Sequence, residues 1–170
     1  MGATGWQKPW VRLVTTMLTI GMMVMIFLFS TQTAERSDRT SGFFSNAIIS
    51  ILYPNYADEE AERQQEIYDG VQFIVRKCAH FLEYTLLGFL IRLCYESWIG
   101  HRVGKKKIMA AATCTGAAYA GSDELHQKLI DGRSGQISDV LLDSCGVFLG
   151  AALAWRIIRG SRRKRKEEQS

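Results

Sequence analysis

The stretch "SDELHQKLIDGRSGQISDVLLD", Ser122 to Asp143, crowds ionisable side chains between two mostly apolar runs rich in Ala and Gly, Ile108 to Gly121 and Val140 to Trp155. A second polar group lies upstream in "KCAHFLEY", Lys77 to Tyr84. On a helix, His80 and Glu83 stand at i, i+3 and share a face, with Lys77 and Tyr84 flanking its His80 side; Asp139 and Asp143 share a face at i, i+4. These residue types support three kinds of chemistry. A histidine oriented by a carboxylate serves as general acid or base. Arginine and lysine take anionic groups, while carboxylates accept hydrogen bonds from sugar hydroxyls or amines. The same groups also neutralise one another in a purely structural ion-pair cluster.

Other chemistries find less support. His80, Glu83, His126 and an aspartate are chemically suitable ligands for zinc or another divalent ion. Neither "HFLE" nor "DELH" has the H-E-x-x-H arrangement of zinc proteases, so the sequence assigns no metal and no other cofactor. It offers no serine or cysteine elbow for a covalent nucleophile either.

The elements that must position these groups follow from how the apolar residues are distributed. They make up 47% of the 170 residues, and the mean hydropathy of -0.04 would suit a soluble domain if they were evenly spread. Instead they are blocked into segments separated by charge. Leu13 to Ala34 carries no charge over 22 residues, and as a helix it reaches about 33 Å, the thickness of a bilayer core. Lys8 and Arg12 precede it, as in a secretory signal, but "FLFSTQTA" offers no good pair of small residues for cleavage after Ala34, so an uncleaved anchor is expected.

Three weaker spans follow. Ala79 to Ile99 is bracketed by His80 and Glu83 at one end and Arg92 and Glu96 at the other, which fits partial exposure to lipid. Ile108 to Gly121 is uncharged but short. Val140 to Ile158 carries Asp143 near its start and Arg156 near its end, where a long side chain snorkels. The expectation is an all-α membrane protein, a small bundle of about four transmembrane helices.

Charge gives that expectation a direction. Lys8 and Arg12 precede the first span, "HRVGKKK" (His101 to Lys107) joins the second to the third, and "RRKRK" (Arg162 to Lys166) follows the fourth. All three basic clusters fall on one side of a four-span arrangement, so both termini are expected in the cytoplasm. The division is a cytoplasmic N-terminus at residues 1–10, a transmembrane domain at 11–158 and a basic tail at 159–170. No nucleic-acid fold is suggested. The longer outer loop holds "GFFSNAIISILYP" (Gly42 to Pro54), too short to cross the bilayer and spaced to lie along its surface or to pack on the bundle. The acidic "ADEEAERQQEIYDG" (Ala57 to Gly70) reads as an exposed helix, with "VQFIVRK" leading into the second span.

Cys78, Cys94, Cys114 and Cys145 fall in or beside the apolar spans without a C-x-x-C pair, which points to small buried residues rather than disulfides or a zinc ribbon. Ala112, Gly116 and Ala120, and separately Gly146, Gly150 and Ala154, recur every four residues as faces for close helix packing, with a homodimer as the alternative use.

In this topology the polar groups converge at the outer end of the bundle. Glu83 and Asp143 lie at matching depth, each about 9 Å inside its helix. Ionised carboxylates at that depth are costly unless paired, hydrated or protonated. Arg133, in the Gly-flanked turn "DGRSG", is the best internal partner because a guanidinium grips a carboxylate with two parallel bonds. Lys77, His80 and His126 could help.

At these residues the sequence resembles the VanZ-like family of bacterial membrane proteins. The blocks that carry the resemblance are "FSTQ" (Phe29 to Gln32), "RKCAHFLEYTLLG" (Arg76 to Gly88) and "YAGSDELHQKLIDGRSGQISDVLLDSCGVFLG" (Tyr119 to Gly150). The resemblance assigns the family's polar positions to Lys77, His80, Glu83, Tyr84, Asp123, Glu124, His126, Gln127, Arg133, Asp139 and Asp143. The family is named for a protein associated with resistance to the glycopeptide antibiotic teicoplanin, which implies a cell-envelope setting and an outward-facing site.

Two functions then compete with the structural ion-pair cluster. In one, the outer cluster binds the polar head of an amphiphile, such as a lipid-linked envelope intermediate or a lipidated glycopeptide, whose chain stays in the membrane lipid bilayer. In the other, the chain is an intramembrane enzyme acting on such a head group with His80 or His126 as acid or base. A transporter is disfavoured because four short helices without an inverted repeat leave little room for alternating access.

Overall fold

The structure, a computed structural model, describes residues 5–31, 34–129 and 136–167, the side chains of 34–40 and 163–166 excepted. Among the described residues the chain is all α-helical. Its helices are α1 (Pro9–Ser30), α2 (Ala34–Leu52), α3 (Ala61–Ile99), α4 (Lys105–Gln127) and α5 (Ile137–Glu167), with single 3-10 turns at Gly5–Gln7 and Tyr56–Asp58.

Pro9 opens α1 at a position where its fixed φ favours the helix and its missing N–H costs nothing. Only a narrow stripe of α1 turns inward: Val11, Thr15, Thr19, Met22, Ile26 and Ser30. Thr15 and Thr19 satisfy their buried hydroxyls on the carbonyls of Val11 and Thr15, one turn back. The remaining faces expose Leu13, Met17, Leu18, Ile20, Val24 and Leu28. So continuous an apolar surface suits contact with lipid rather than water.

α1 and the Ile137–Arg162 part of α5 are long and apolar enough to cross a membrane. α3 and α4 fall outside that measure because they carry the polar residues. α3 lies at the centre of the bundle and packs on α1, α2, α4 and α5, most extensively on α5. Met22 and Ile26 of α1, Tyr84, Leu87 and Ile91 of α3, Ala112 and Ala120 of α4, and Val147 and Ala151 of α5 form one buried core.

The structure redraws the segment that follows α1. From Ala61 on, the residues read from the sequence as an exposed acidic helix, a lead-in and a span form one 39-residue helix, α3, while Ala57 and Asp58 belong to the preceding 3-10 turn. Gly70 does not interrupt it. A helical glycine costs roughly 1 kcal/mol relative to alanine, and packing against α2 outweighs that cost: Ile49 of α2 sits in a second small core with Ile67 and Val71 of α3. Ser45 donates to Gln72 across the same contact. Of the two placements open to the Gly42 to Pro54 stretch, the structure therefore packs one side of it on α3, while Phe43, Phe44, Ile51 and Leu52 remain exposed.

Cysteine placement also differs from expectation. All four are free; Cys78, Cys114 and Cys145 are exposed and Cys94 is half-buried. A thiol behaves as a small apolar group, so an outward position on a lipid-facing helix is no more costly than a buried one.

Glycine sets the distance between α3 and α5. A Cβ on Gly150 would strike the Thr85 carbonyl oxygen and come within 2.8 Å of the Phe89 nitrogen; one on Gly146 would lie 2.7 Å from the Phe81 carbonyl oxygen. On the other side, a Cβ on Gly88 would come within 2.6 Å of the Val147 Cα. These obstacles are backbone, so no side-chain rotation relieves them. Gly150→Ala should therefore force the helices apart and destabilise the protein by about 1–3 kcal/mol. Gly21→Ala, at a site with no neighbour within 4 Å, should cost nothing. Thermal unfolding of the two variants in the same micelle checks the contrast.

Candidate functional site

The last turns of α1 and α4, the first turns of α5 and the middle of α3 meet at one end of the bundle. Pairing between α3 and α5 follows their helical periods. Lys77 donates to Asp139 Oδ1, and one turn deeper His80 Nδ1 lies 3.9 Å from Asp143 Oδ2. An i, i+3 pair on α3 thus meets an i, i+4 pair on α5, as two helices in side-by-side register allow. Ser138 adds a hydrogen bond to Asp139 at 3.2 Å.

Tyr84 stands one turn beyond His80 and is fully buried. Its ring centroid lies 6.3 Å from that of Tyr119 on α4, and Asp123 and Asp143 both lie close enough to act on it electrostatically. Asp143, only 2% exposed, experiences the charges of Asp123, Glu124, Glu83 and Lys77. Glu83 itself is half-buried.

The α4 residues are held by local bonds. Gln127 donates to Asp123 Oδ2 at 3.0 Å across one helical turn. Glu124 Oε1 accepts the backbone N–H of Gln136 at 2.6 Å. That bond places a carboxylate beside the start of α5, where unpaired N–H groups favour negative charge. The His126 imidazole stacks on Phe27 of α1, with ring centroids 4.9 Å apart.

Ten of the eleven polar residues singled out in the sequence are therefore found at this end of the bundle; Arg133 lies outside the described residues. The reading of the sequence missed the contribution of α1. Phe27 backs His126, and Ser30, one turn on, buries its hydroxyl at the same end. Tyr119 was missed as well; it faces Tyr84 and donates to the Met23 carbonyl of α1 at 2.6 Å. Ser30 falls within "FSTQ", where a polar run directly after an apolar helix was the available signal. Phe27 gave none, because on an apolar helix a ring-stacking phenylalanine looks like any lipid-facing one.

Several buried polar atoms in this region lack a well-formed hydrogen bond: Ser30 Oγ, His126 Nε2 and Asp143 Oδ1, together with Tyr84 Oη and Asp123 Oδ1, whose side chains face each other. Among the described residues, no three His, Cys, Asp or Glu side chains converge to hold a metal ion. The arrangement can accept hydrogen bonds at two carboxylate oxygens, exchange them at two hydroxyls, and transfer a proton at imidazole.

Neither a curated protein nor a solved structure matches the chain. The VanZ/LLP1 family matches residues 15–159, a range that contains every residue of the cluster. By that match over most of its length, the chain belongs to the VanZ/LLP1 family.

Proposed function

We propose that the chain is a four-span protein of the bacterial cell membrane whose outward-facing polar cluster binds the head group of an amphiphilic envelope ligand, a lipid-linked intermediate or a lipidated glycopeptide. The observation that carries this reading is the group of buried polar atoms at one end of the bundle that lack well-formed hydrogen bonds, Ser30 Oγ, His126 Nε2 and Asp143 Oδ1 beside the facing Tyr84 and Asp123. Buried polar groups normally find partners, and each one left open costs about 1–3 kcal/mol. A ligand rich in hydroxyls or amines would satisfy Asp123 and Asp143 by donation and Ser30 and Tyr84 by exchange. Lys77 is engaged by Asp139, so anionic groups of the ligand are assigned to Arg133 on chemical grounds.

The four-span arrangement rests on the three basic clusters and on how α3 and α4 are sheltered. Their polar side chains turn toward neighbouring helices, so a span need not be apolar all round. The His80 and Asp143 pair supports a second reading, general acid–base catalysis on the same head group, since a carboxylate beside a histidine orients and stabilises its charged form.

A mass-spectrometric inventory of lipids retained after mild extraction tests the binding reading. Wild type should retain an envelope lipid that Asp123→Asn and Asp143→Asn lose. If wild type retains none and both variants lose stability, the cluster is an ion-pair network and the reading fails.

Three further outcomes are expected. In a cysteine-free background, an impermeant thiol reagent on intact cells should label a cysteine at position 58 and spare one at 105; the reverse pattern overturns the orientation. Glu83→Gln and Asp143→Asn should be non-additive in thermal stability, with coupling of about 0.5–3 kcal/mol, the range for residues in one charge network. Arg133→Lys should lose protection against envelope-targeting antibiotics, teicoplanin included, as fully as Arg133→Ala does, because an ammonium retains the charge without the planar fork. Full protection in a stable Arg133→Ala variant would remove this residue from the site.

A further inference from the structure

At the opposite end of the bundle, α3 and α5 share a second buried charge group that the proposed function does not use. Arg92 is fully buried and donates from Nη1 to Glu96 Oε2 at 2.6 Å, one turn along α3. Arg162 of α5 donates from Nη2 to the other oxygen, Glu96 Oε1. Glu96 is 1% exposed, and both its oxygens are engaged. The carboxylate lies over Gly100, where a Cβ would come within 2.6 Å of Oε1.

The group does not balance. Two guanidinium charges meet one carboxylate, leaving one positive charge in excess. The donors are in excess too, since Arg92 Nε, Arg92 Nη2 and Arg162 Nε are buried without a partner. Nε and Nη2 occupy one edge of the planar guanidinium and direct their hydrogens in parallel, the geometry that clasps an oxyanion with two bonds. Arg92 holds Glu96 with its remaining nitrogen, so this whole edge lacks an acceptor. Leaving a buried charge so poorly satisfied is strongly unfavourable, and what is missing is an acceptor.

Apart from Glu96, the nearest acids in sequence, Glu167 and Glu168, follow Arg162 by five and six residues, and Glu167 is exposed rather than buried with the arginines. Residues 1–34 and 97–122 contain no Asp or Glu. This end instead adds more cations: Arg12 donates to the Ser97 carbonyl at 3.1 Å with its guanidinium over Trp98, and "HRVGKKK" joins α3 to α4. Basic pockets between membrane helices hold the phosphates of anionic lipids in the same way.

We infer that Arg92, Glu96 and Arg162 form a phosphate site, in which the open edge of Arg92 and the Nε of Arg162 take the oxygens of a phosphate group. The excess of one positive charge matches a singly charged phosphodiester, as in an anionic lipid head group, and free phosphate presents the same oxygens. Arg162 marks the way in, because its side chain keeps 27% exposure while those of Arg92 and Glu96 keep 0% and 1%.

The test uses the full-length protein in maltoside micelles, which carry no phosphate. Binding is measured by native mass spectrometry and by thermal unfolding with phosphatidylglycerol, with inorganic phosphate, and with diacylglycerol as a phosphate-free control. Phosphatidylglycerol should bind and raise the unfolding midpoint while diacylglycerol does not. An equal response to inorganic phosphate would identify the free anion as sufficient, and no response to it would identify the lipid. Arg92→Lys, which retains the charge and loses the edge, should weaken binding about tenfold or more, and Arg162→Gln severalfold. Absence of binding by both phosphate-bearing probes, or a diacylglycerol response as large as that to phosphatidylglycerol, overturns the site. Unchanged affinity in either variant also overturns it, and Arg162→Gln decides the matter if Arg92→Lys does not fold.

Discussion

The contact between α3 and α5 is the constraint on which the rest of the structure depends. The nearest obstacles across the contact at Gly88, Gly146 and Gly150 are backbone atoms of the facing helix. Two helices that touch so closely and run in the same direction keep a nearly constant offset along their length. That offset pairs Lys77 with Asp139 and His80 with Asp143 at one end, and Glu96 with Arg162 at the other. Small residues act here as in other membrane helices: they let dispersion and polar contacts replace a hydrophobic driving force that lipid does not supply.

Polar residues inside such a bundle are sheltered by division of labour. α1 gives most of its surface to apolar side chains and turns a single stripe inward. α3 is enclosed by four neighbours and can therefore bury Arg92, Glu96 and Tyr84. α4 reaches the core with alanines and glycine at Ala112, Gly116 and Ala120, which leaves its last turn free to carry Asp123, Glu124 and Gln127. The family match, together with two helices apolar and long enough to cross a bilayer, marks the chain as a membrane protein.

Much of this was legible in the sequence. The all-helical class followed from segment length and the absence of strand-like alternation. Convergence of the polar residues followed from helix direction: once the segments alternate, Lys77 to Tyr84, Ser122 to Gln127 and Asp139 to Asp143 must share an end. Other features were hidden by their physics. Gly70 reads locally as a helix breaker, and only the tertiary contact with Ile49 shows why α3 passes through it. Arg92 and Glu96 read as the border of a lipid span, because hydropathy cannot tell a charge facing lipid from one facing a partner such as Arg162, remote in the sequence. The cysteines misled for a related reason, since a thiol is apolar enough for either side of a membrane helix.

α3 also has a mechanical character. It is one uninterrupted helix of 39 residues, about 58 Å long, and it carries a carboxylate or cation of both charged groups on a single rigid rod. α2 is fastened along the far part of that rod through Ser45, Ile49 and their partners. A push or tilt applied to the α2 attachment is therefore delivered along the shaft to Lys77 and His80 and onward to Arg92 and Glu96, without a hinge in between to absorb it.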